Sequence, residues 1–169
     1  GYYTAYNRRF PDGIFKGRAW YINYLNKCKV PNSFIIRKGF WAQGLDKSIA
    51  RKQYFENMEN NIFMFCIRGA GNFSYRFYEI LMMGRIPIFI DTDCVLPYEK
   101  LIKKAEVGIF INESDIISNK INLEQEILRY IENNKNKLPE IQKQNRLLWE
   151  KLYSPIGFLN MLLNTENLT

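Results

Sequence analysis

Residues 68 to 79 gather the groups best suited to handling a phosphate ester. Arg68 is followed by Gly69, Gly71 and Asn72, then by Ser74, Tyr75, Arg76 and, one turn further on, Glu79. The two guanidiniums present planar arrays of N–H donors that match phosphate oxygens. The two glycines allow a sharp turn and a close approach of backbone to ligand. Ser74 is a sound N-cap, which predicts a helix from Tyr75 whose first turn offers unsatisfied N–H groups and partial positive charge to an anion. Arg76 in that first turn opposes the helix dipole by about 0.3–1 kcal/mol, so an anionic partner is expected beside it. Glu79 shares a helix face with Arg76 and could accept hydrogen bonds from a ribose diol or pair with the arginine. Plainer readings stand beside these. Arg68 could pair with Asp91 at a neighbouring strand tip, Ser74 could be a cap only, and Tyr75 and Tyr78 could serve in packing.

The flanking elements place this cluster. Ile62 to Ile67 is an apolar, aromatic and branched run that reads as a strand buried on both faces. The helix from Tyr75 to about Met83 is stopped by Gly84, and Ile86 to Ile90, ending at Asp91, reads as a second buried strand. A strand-helix-strand unit builds parallel sheets, whose ligands bind beyond the carboxyl ends of the strands. The fold class is therefore α/β, a Rossmann-like parallel sheet with flanking helices.

The rest of the chain supplies that architecture. Tyr2 to Phe10 reads as an aromatic, basic loop in which Arg8 is a candidate ligand contact. A helix is expected over about Ile14–Lys27, a strand over Ser33–Arg37, and a loop over Lys38–Leu45 carrying Phe40 and Trp41; Arg37 is a second candidate contact. Asp46 is an N-cap for a helix over Lys47–Glu59, with Ile49, Tyr54, Phe55 and Met58 expected on the sheet. Leu96-Pro97 leads into a short helix ending at Lys104, and Val107–Ile111 is a further strand. Asn112–Asn122 is polar and reads as a loop. Two helices follow, one marked by Leu123, Ile127 and Ile131, the other by Leu138, Ile141, Leu148 and Leu152. Pro155 breaks the second, before an apolar segment over Ile156–Leu163.

Composition narrows the chemistry. At 169 residues and 47% hydrophobic, one domain with one substantial core is expected. There are no histidines, which removes His-based triads, His metal ligands and a His general base from this chain. Cys28, Cys66 and Cys94 lack metal-ligand spacing and read as reduced thiols. The balance of 24 Lys and Arg against 17 Asp and Glu gives a net charge of +7. Such a charge suits acidic glycans, a membrane surface or nucleic acid, but the lysines are interspersed with Glu and Asn, which argues against a dedicated nucleic-acid role. No apolar run approaches the length of a membrane span.

The pattern Arg68-Gly69-x-Gly71-x-x-Ser74-Tyr75-Arg76-Phe77-x-Glu79-x-Leu81-x-x-Gly84-x-Ile86-Pro87, with Leu96-Pro97-Tyr98-Glu99 downstream, resembles the exostosin family, glycosyltransferase family 47. The resemblance is specific over residues 62 to 99, weaker upstream at Arg37-Lys-Gly-Phe-Trp41 and Arg51, and carried by no motif beyond about residue 112. It implies a GT-B glycosyltransferase that takes a nucleotide sugar, usually a UDP-sugar, and transfers the sugar with inversion to a glycan acceptor in polysaccharide synthesis. It implies no obligatory metal at the nucleotide. On this reading residues 1–169 form one Rossmann-like donor-binding domain, the C-terminal half of such an enzyme, with the N-terminal acceptor domain absent. Donor binding falls to Arg68, Gly69, Gly71, Ser74, Tyr75, Arg76 and Glu79. No catalytic base is assignable, and the isolated chain is expected to be inactive.

Two other readings compete. Asp91-Thr92-Asp93 follows an apolar strand, as does the Asp-x-Asp metal signature of GT-A glycosyltransferases, where carboxylates hold a divalent cation against the donor diphosphate. Here arginines and a helix terminus already serve the diphosphate, so a turn or a contact to the donor sugar is the preferred role for Asp91 and Asp93. A non-catalytic basic module for acidic glycan or nucleic acid is the other. Asn72-Phe73-Ser74 is also an N-glycosylation sequon inside the phosphate loop, and a glycan there would block the site. A cytoplasmic protein, peripheral to the membrane at most, avoids that conflict.

Overall fold

The structure is a computed structural model, and it describes residues 18–33, 45–69 and 71–164. Arg8, Arg37 and the expected elements around Phe40 and Trp41 lie outside the described residues, as does most of the expected strand at 33–37. The elements run α1 (Arg18–Leu25), α2 (Lys47–Glu59), β1 (Phe63–Cys66), α3 (Tyr75–Met82), β2 (Ile86–Asp91), α4 (Glu99–Lys104) and β3 (Ile109–Asn112). Then come α5 (Glu113–Ile117), α6 (Leu123–Asn134), α7 (Leu138–Leu152) and α8 (Pro155–Leu163). The Asp46 carboxylate caps α2, with Oδ1 accepting from Ser48 N at 2.8 Å and Ile49 N at 3.3 Å.

The three strands form one parallel sheet in the order β1-β2-β3. Phe63 is paired with Ile86 at one end, Cys66 with Phe89 and Asp91 with Asn112 toward the other. All three strands therefore deliver their carboxyl ends, and the loops that follow, to one edge. Alternation along the strands sends side chains to two cores. Met64, Cys66 and Phe89 join Met58, Phe77, Ile80, Leu81, Ile102 and Leu152 on one face. Ile88, Ile90, Ile109 and Ile111 join Tyr21, Leu25, Leu123 and Ile127 on the other. Helices thus cover both faces, which is why these strands read as continuous apolar runs.

Two contacts lock α7 to the opposite edge. Asn145 is 1% exposed and donates through Nδ2 to the carbonyls of Arg85 at 2.9 Å and Val107 at 2.8 Å, tying the entries of β2 and β3 together. Gly84 ends α3 with φ +61°, and a Cβ placed there would stand 3.0 Å from the Gln142 carbonyl of α7. The left-handed backbone and the close helix both select glycine.

Two expectations need correction. The segment over residues 112–122 holds a helical turn, α5, rather than loop throughout: Glu113 and Asp115 complement the dipole in its first turn, and Ile116 is buried. Glu113 itself is 3% exposed and accepts a hydrogen bond from the Tyr21 hydroxyl at 2.6 Å, so a carboxylate at the β3 tip is buried against α1. Ile49 is 49% exposed; the inward stripe of α2 is Ala50, Tyr54 and Met58, at a spacing of four. The apolar segment after Pro155 forms α8, which packs Gly157 and Met161 inward and leaves Ile156, Leu159 and Leu163 exposed.

Candidate functional site

The loop between β1 and α3 closes on itself through Gly69, whose N–H donates to the Phe73 carbonyl at 3.0 Å. Ser74 takes the N-cap position with extended backbone, yet its side chain makes no capping hydrogen bond, so the hydroxyl is not committed to the helix terminus. The Phe73 ring lies over Gly71, where an added Cβ would meet Cε1 at 2.9 Å. A side chain at position 71 would have to push the Phe73 ring aside. Arg68, Phe73, Ser74, Phe89, Ile90, Thr92 and Cys94 line a crevice at the strand tips, too narrow in this conformation to admit a water molecule. Phe73 was not singled out from the sequence, and it narrows the approach to the loop amides.

This loop is bolted to the loop after β2. Asn72 Nδ2 donates to the carbonyls of Thr92 at 2.9 Å and Asp93 at 3.0 Å, while Thr92 Oγ1 donates to Asn72 Oδ1 at 2.6 Å. Asp91 Oδ1 accepts from Cys94 N at 3.0 Å, and Asp93 adopts the left-handed region at φ 58°. Asp91 thus holds a tight turn, which is one of the two roles expected of it. Burial and Asp91 raise the Cys94 thiol pKa above its ordinary value, opposed by the Arg68 guanidinium. Arg68, Asp91 and Cys94 therefore share one electrostatic neighbourhood at the β1 and β2 tips.

Arg76 and Glu79 face α2. The Arg76 guanidinium lies over the Tyr54 ring, 4.9 Å from its centroid, and the Tyr54 hydroxyl donates to Glu79 Oε2. Among the described residues the group facing Arg76 is thus an aromatic face; a cation on a ring face gains about 0.5–2 kcal/mol, enough to offset the dipole cost for which an anionic partner was expected. Glu79 and Arg76 do not pair with each other in this structure. Burial raises the Tyr54 phenol pKa far above its ordinary value, with the Glu79 hydrogen bond adding to the rise and Arg76 opposing it. Arg76 does not line the strand-tip crevice. Arg68 therefore flanks the N-terminus of α3 from the β2 side and Arg76 from the α2 side. Tyr75 is 73% exposed and meets Phe73 edge-on at 5.2 Å between centroids, so it does not serve in packing.

A family model for the exostosin GT47 domain matches residues 17–127, well over half of the chain. This chain belongs to the exostosin GT47 family. The matched span takes in all three strands of the exostosin sheet and the whole of the site above. Among curated relatives, a probable beta-1,4-xylosyltransferase of Arabidopsis thaliana is 38% identical over 63 residues, 37% of this chain and 15% of that protein. A probable glucuronosyltransferase of Oryza sativa subsp. japonica is 36% identical over 63 residues, 37% of this chain and 14% of its own length. Probable glucuronosyltransferase 47 A of Physcomitrium patens gives the same identity and the same coverage. The similarity thus spans about one seventh of the length of these relatives. No solved structure matches the chain.

Within this exostosin domain two further features bear on ligands. Among the described residues no group of three or more Cys, Asp or Glu converges as a metal site. An open depression of about 520 Å³ on the first turns of α2 is lined by Lys47, Ser48, Arg51, Lys52 and Phe55. Lys52 pairs with Glu56 at 3.8 Å and both side chains are solvated, so this is a basic face rather than a built site. No described helix is long and apolar enough to cross a membrane.

Proposed function

We propose that this chain is the donor-binding part of a glycosyltransferase that takes a nucleotide sugar, a UDP-sugar above others, and passes the sugar with inversion to a hydroxyl of a growing glycan. The reading is carried by one observation: in a chain of this family, the start of α3 stands at the carboxyl edge of a parallel sheet, with Arg68 beside Ser74 in the strand-tip crevice and Arg76 and Glu79 on the α2 side of the same helix. Substitution at the anomeric carbon builds negative charge on the departing diphosphate. The amides and guanidiniums meet that charge and stabilise the transition state more than the ground state. Glu79 takes the ribose diol, and Asp91 and Asp93 stand nearest the sugar. Phe73 rotates off Gly71 to admit the diphosphate.

No metal is assigned to this site. Inversion requires a base that deprotonates the acceptor, and in this reading that base and the acceptor-binding surface belong to a second domain, so the 169-residue chain by itself binds donor weakly and transfers nothing. The engagement of the Asn72 amide by two carbonyls supports a sequon that stays unmodified, and with it a cytoplasmic, at most membrane-peripheral, protein.

The decisive experiment is thermal protection by nucleotides. UDP should raise the melting temperature, Arg76→Ala and Arg68→Ala should each remove the effect, and chelation with EDTA should leave it intact. Protection that vanishes with EDTA would transfer the site to a metal held by Asp91 and Asp93. A chain that no nucleotide protects, and that binds acidic glycan with steep salt dependence, would be the basic module instead.

A further inference from the structure

We propose that Tyr54 is the positioning residue of the donor site, one phenol orienting Arg76 through its ring face and Glu79 through its hydroxyl. The inference rests on the donor-site reading and names the contacts by which α2 takes part in it. Tyr54 lies in the middle of the Ala50, Tyr54, Met58 stripe, and both neighbours in the stripe are buried, at 4% and 0% exposure. The ring is therefore anchored at both ends of its own helix face.

The two contacts leave the right atoms for a ligand. A guanidinium stacked on a ring keeps its N–H donors in its own plane, so Arg76 can face a phosphate edge-on while lying on Tyr54. The hydroxyl engages Oε2 of Glu79, and Oε1 keeps its lone pairs for a diol. Without Tyr54 the two charges, three residues apart on one helix face, would be drawn into an ion pair that quenches both. Tyr54 separates them in function by giving each a different partner.

The test is equilibrium binding of UDP and of dideoxyuridine diphosphate, which lacks the ribose diol, to the full 169-residue chain and its variants. The unsubstituted chain should prefer UDP by about tenfold, the worth of one charge-assisted hydrogen bond. Tyr54→Phe keeps the ring under Arg76 and should erase most of that preference while leaving affinity for the dideoxy nucleotide unchanged. Tyr54→Leu should weaken both nucleotides. In a Glu79→Ala background, Tyr54→Phe should have no further effect. An unaltered preference in Tyr54→Phe overturns the inference and leaves the donor site standing. A Tyr54→Phe loss that persists in full without Glu79 assigns the effect to packing and also overturns it. Failure of the unsubstituted chain to bind either nucleotide overturns the donor reading together with this one.

Discussion

Asn72 and Thr92 are bonded in both directions across the two strand-tip loops. Thr92 Oγ1 donates to Asn72 Oδ1 at 2.6 Å, and the Asn72 amide returns a hydrogen bond to the Thr92 carbonyl at 2.9 Å. The same amide holds the Asp93 carbonyl at 3.0 Å, where the backbone is in the left-handed region. Asn72→Asp replaces both donors with acceptors aimed at carbonyl oxygens. It should lower stability by about 1–3 kcal/mol in urea titrations and speed exchange of the Gly69 amide. Thr92→Ser, which keeps the hydroxyl, should behave like the unsubstituted chain, and Thr92→Val should not.

Asn145→Leu removes the donor that serves the Arg85 and Val107 carbonyls while preserving bulk. Two buried acceptors would be left without it, so unfolding free energy should fall by about 2–4 kcal/mol. The loss should show equally in circular dichroism and in tryptophan fluorescence. A variant as stable as the parent would mean that water or a shifted helix replaces the amide.

Gly84→Ala should cost about 1–2 kcal/mol for the positive φ alone, and the Gln142 carbonyl 3.0 Å from the new Cβ makes the site less forgiving still. Because the strain is in the turn between α3 and β2, the melting temperature should drop without any change in the response to UDP that remains below it.

Alkaline pH offers a test of burial. The Tyr54 and Tyr153 phenols are raised by burial from an ordinary value of 10.0. Above that value the unfolded chain has released these protons and the folded chain still holds them, so the folded state binds more protons. Their contribution to stability is complete below pH about 10 and is lost progressively as pH rises through the folded values. Urea midpoints should decline above pH about 10, with a shallower slope in Tyr54→Phe. Tyrosinate absorbance should show a late-titrating group of phenols that includes Tyr54 and Tyr153, beside Tyr24, Tyr78 and Tyr130, which burial also raises.

The α/β character was legible because a strand buried on both faces has to be apolar at every position, and β1 and β2 sit in the two most apolar runs of the chain. Caps and stops were legible too: Asp46 and Gly84 act through backbone only a few residues away. The turn α5 was not, because its helix-forming signal is a pair of acids beside polar residues, and burial of Ile116 and Glu113 comes from distant elements. Ser74 shows a subtler gap. Its place at the helix start was readable, but whether its hydroxyl turns to the helix or away from it was not.

By itself the sequence determined which chemistry is concentrated in residues 68 to 79, that it sits between a buried strand and a helix start, and, through its motif, the family. Only tertiary structure decided the partners. Tyr54 reaches Glu79 across 25 positions, and Asn72 reaches Thr92 across 20. Local propensity acts over one turn or one strand step, so it specifies where a side chain begins. Which group it meets depends on how two cores are filled on either side of the sheet, and that packing alone set Arg76 on an aromatic face and gave Glu79 a phenol for company.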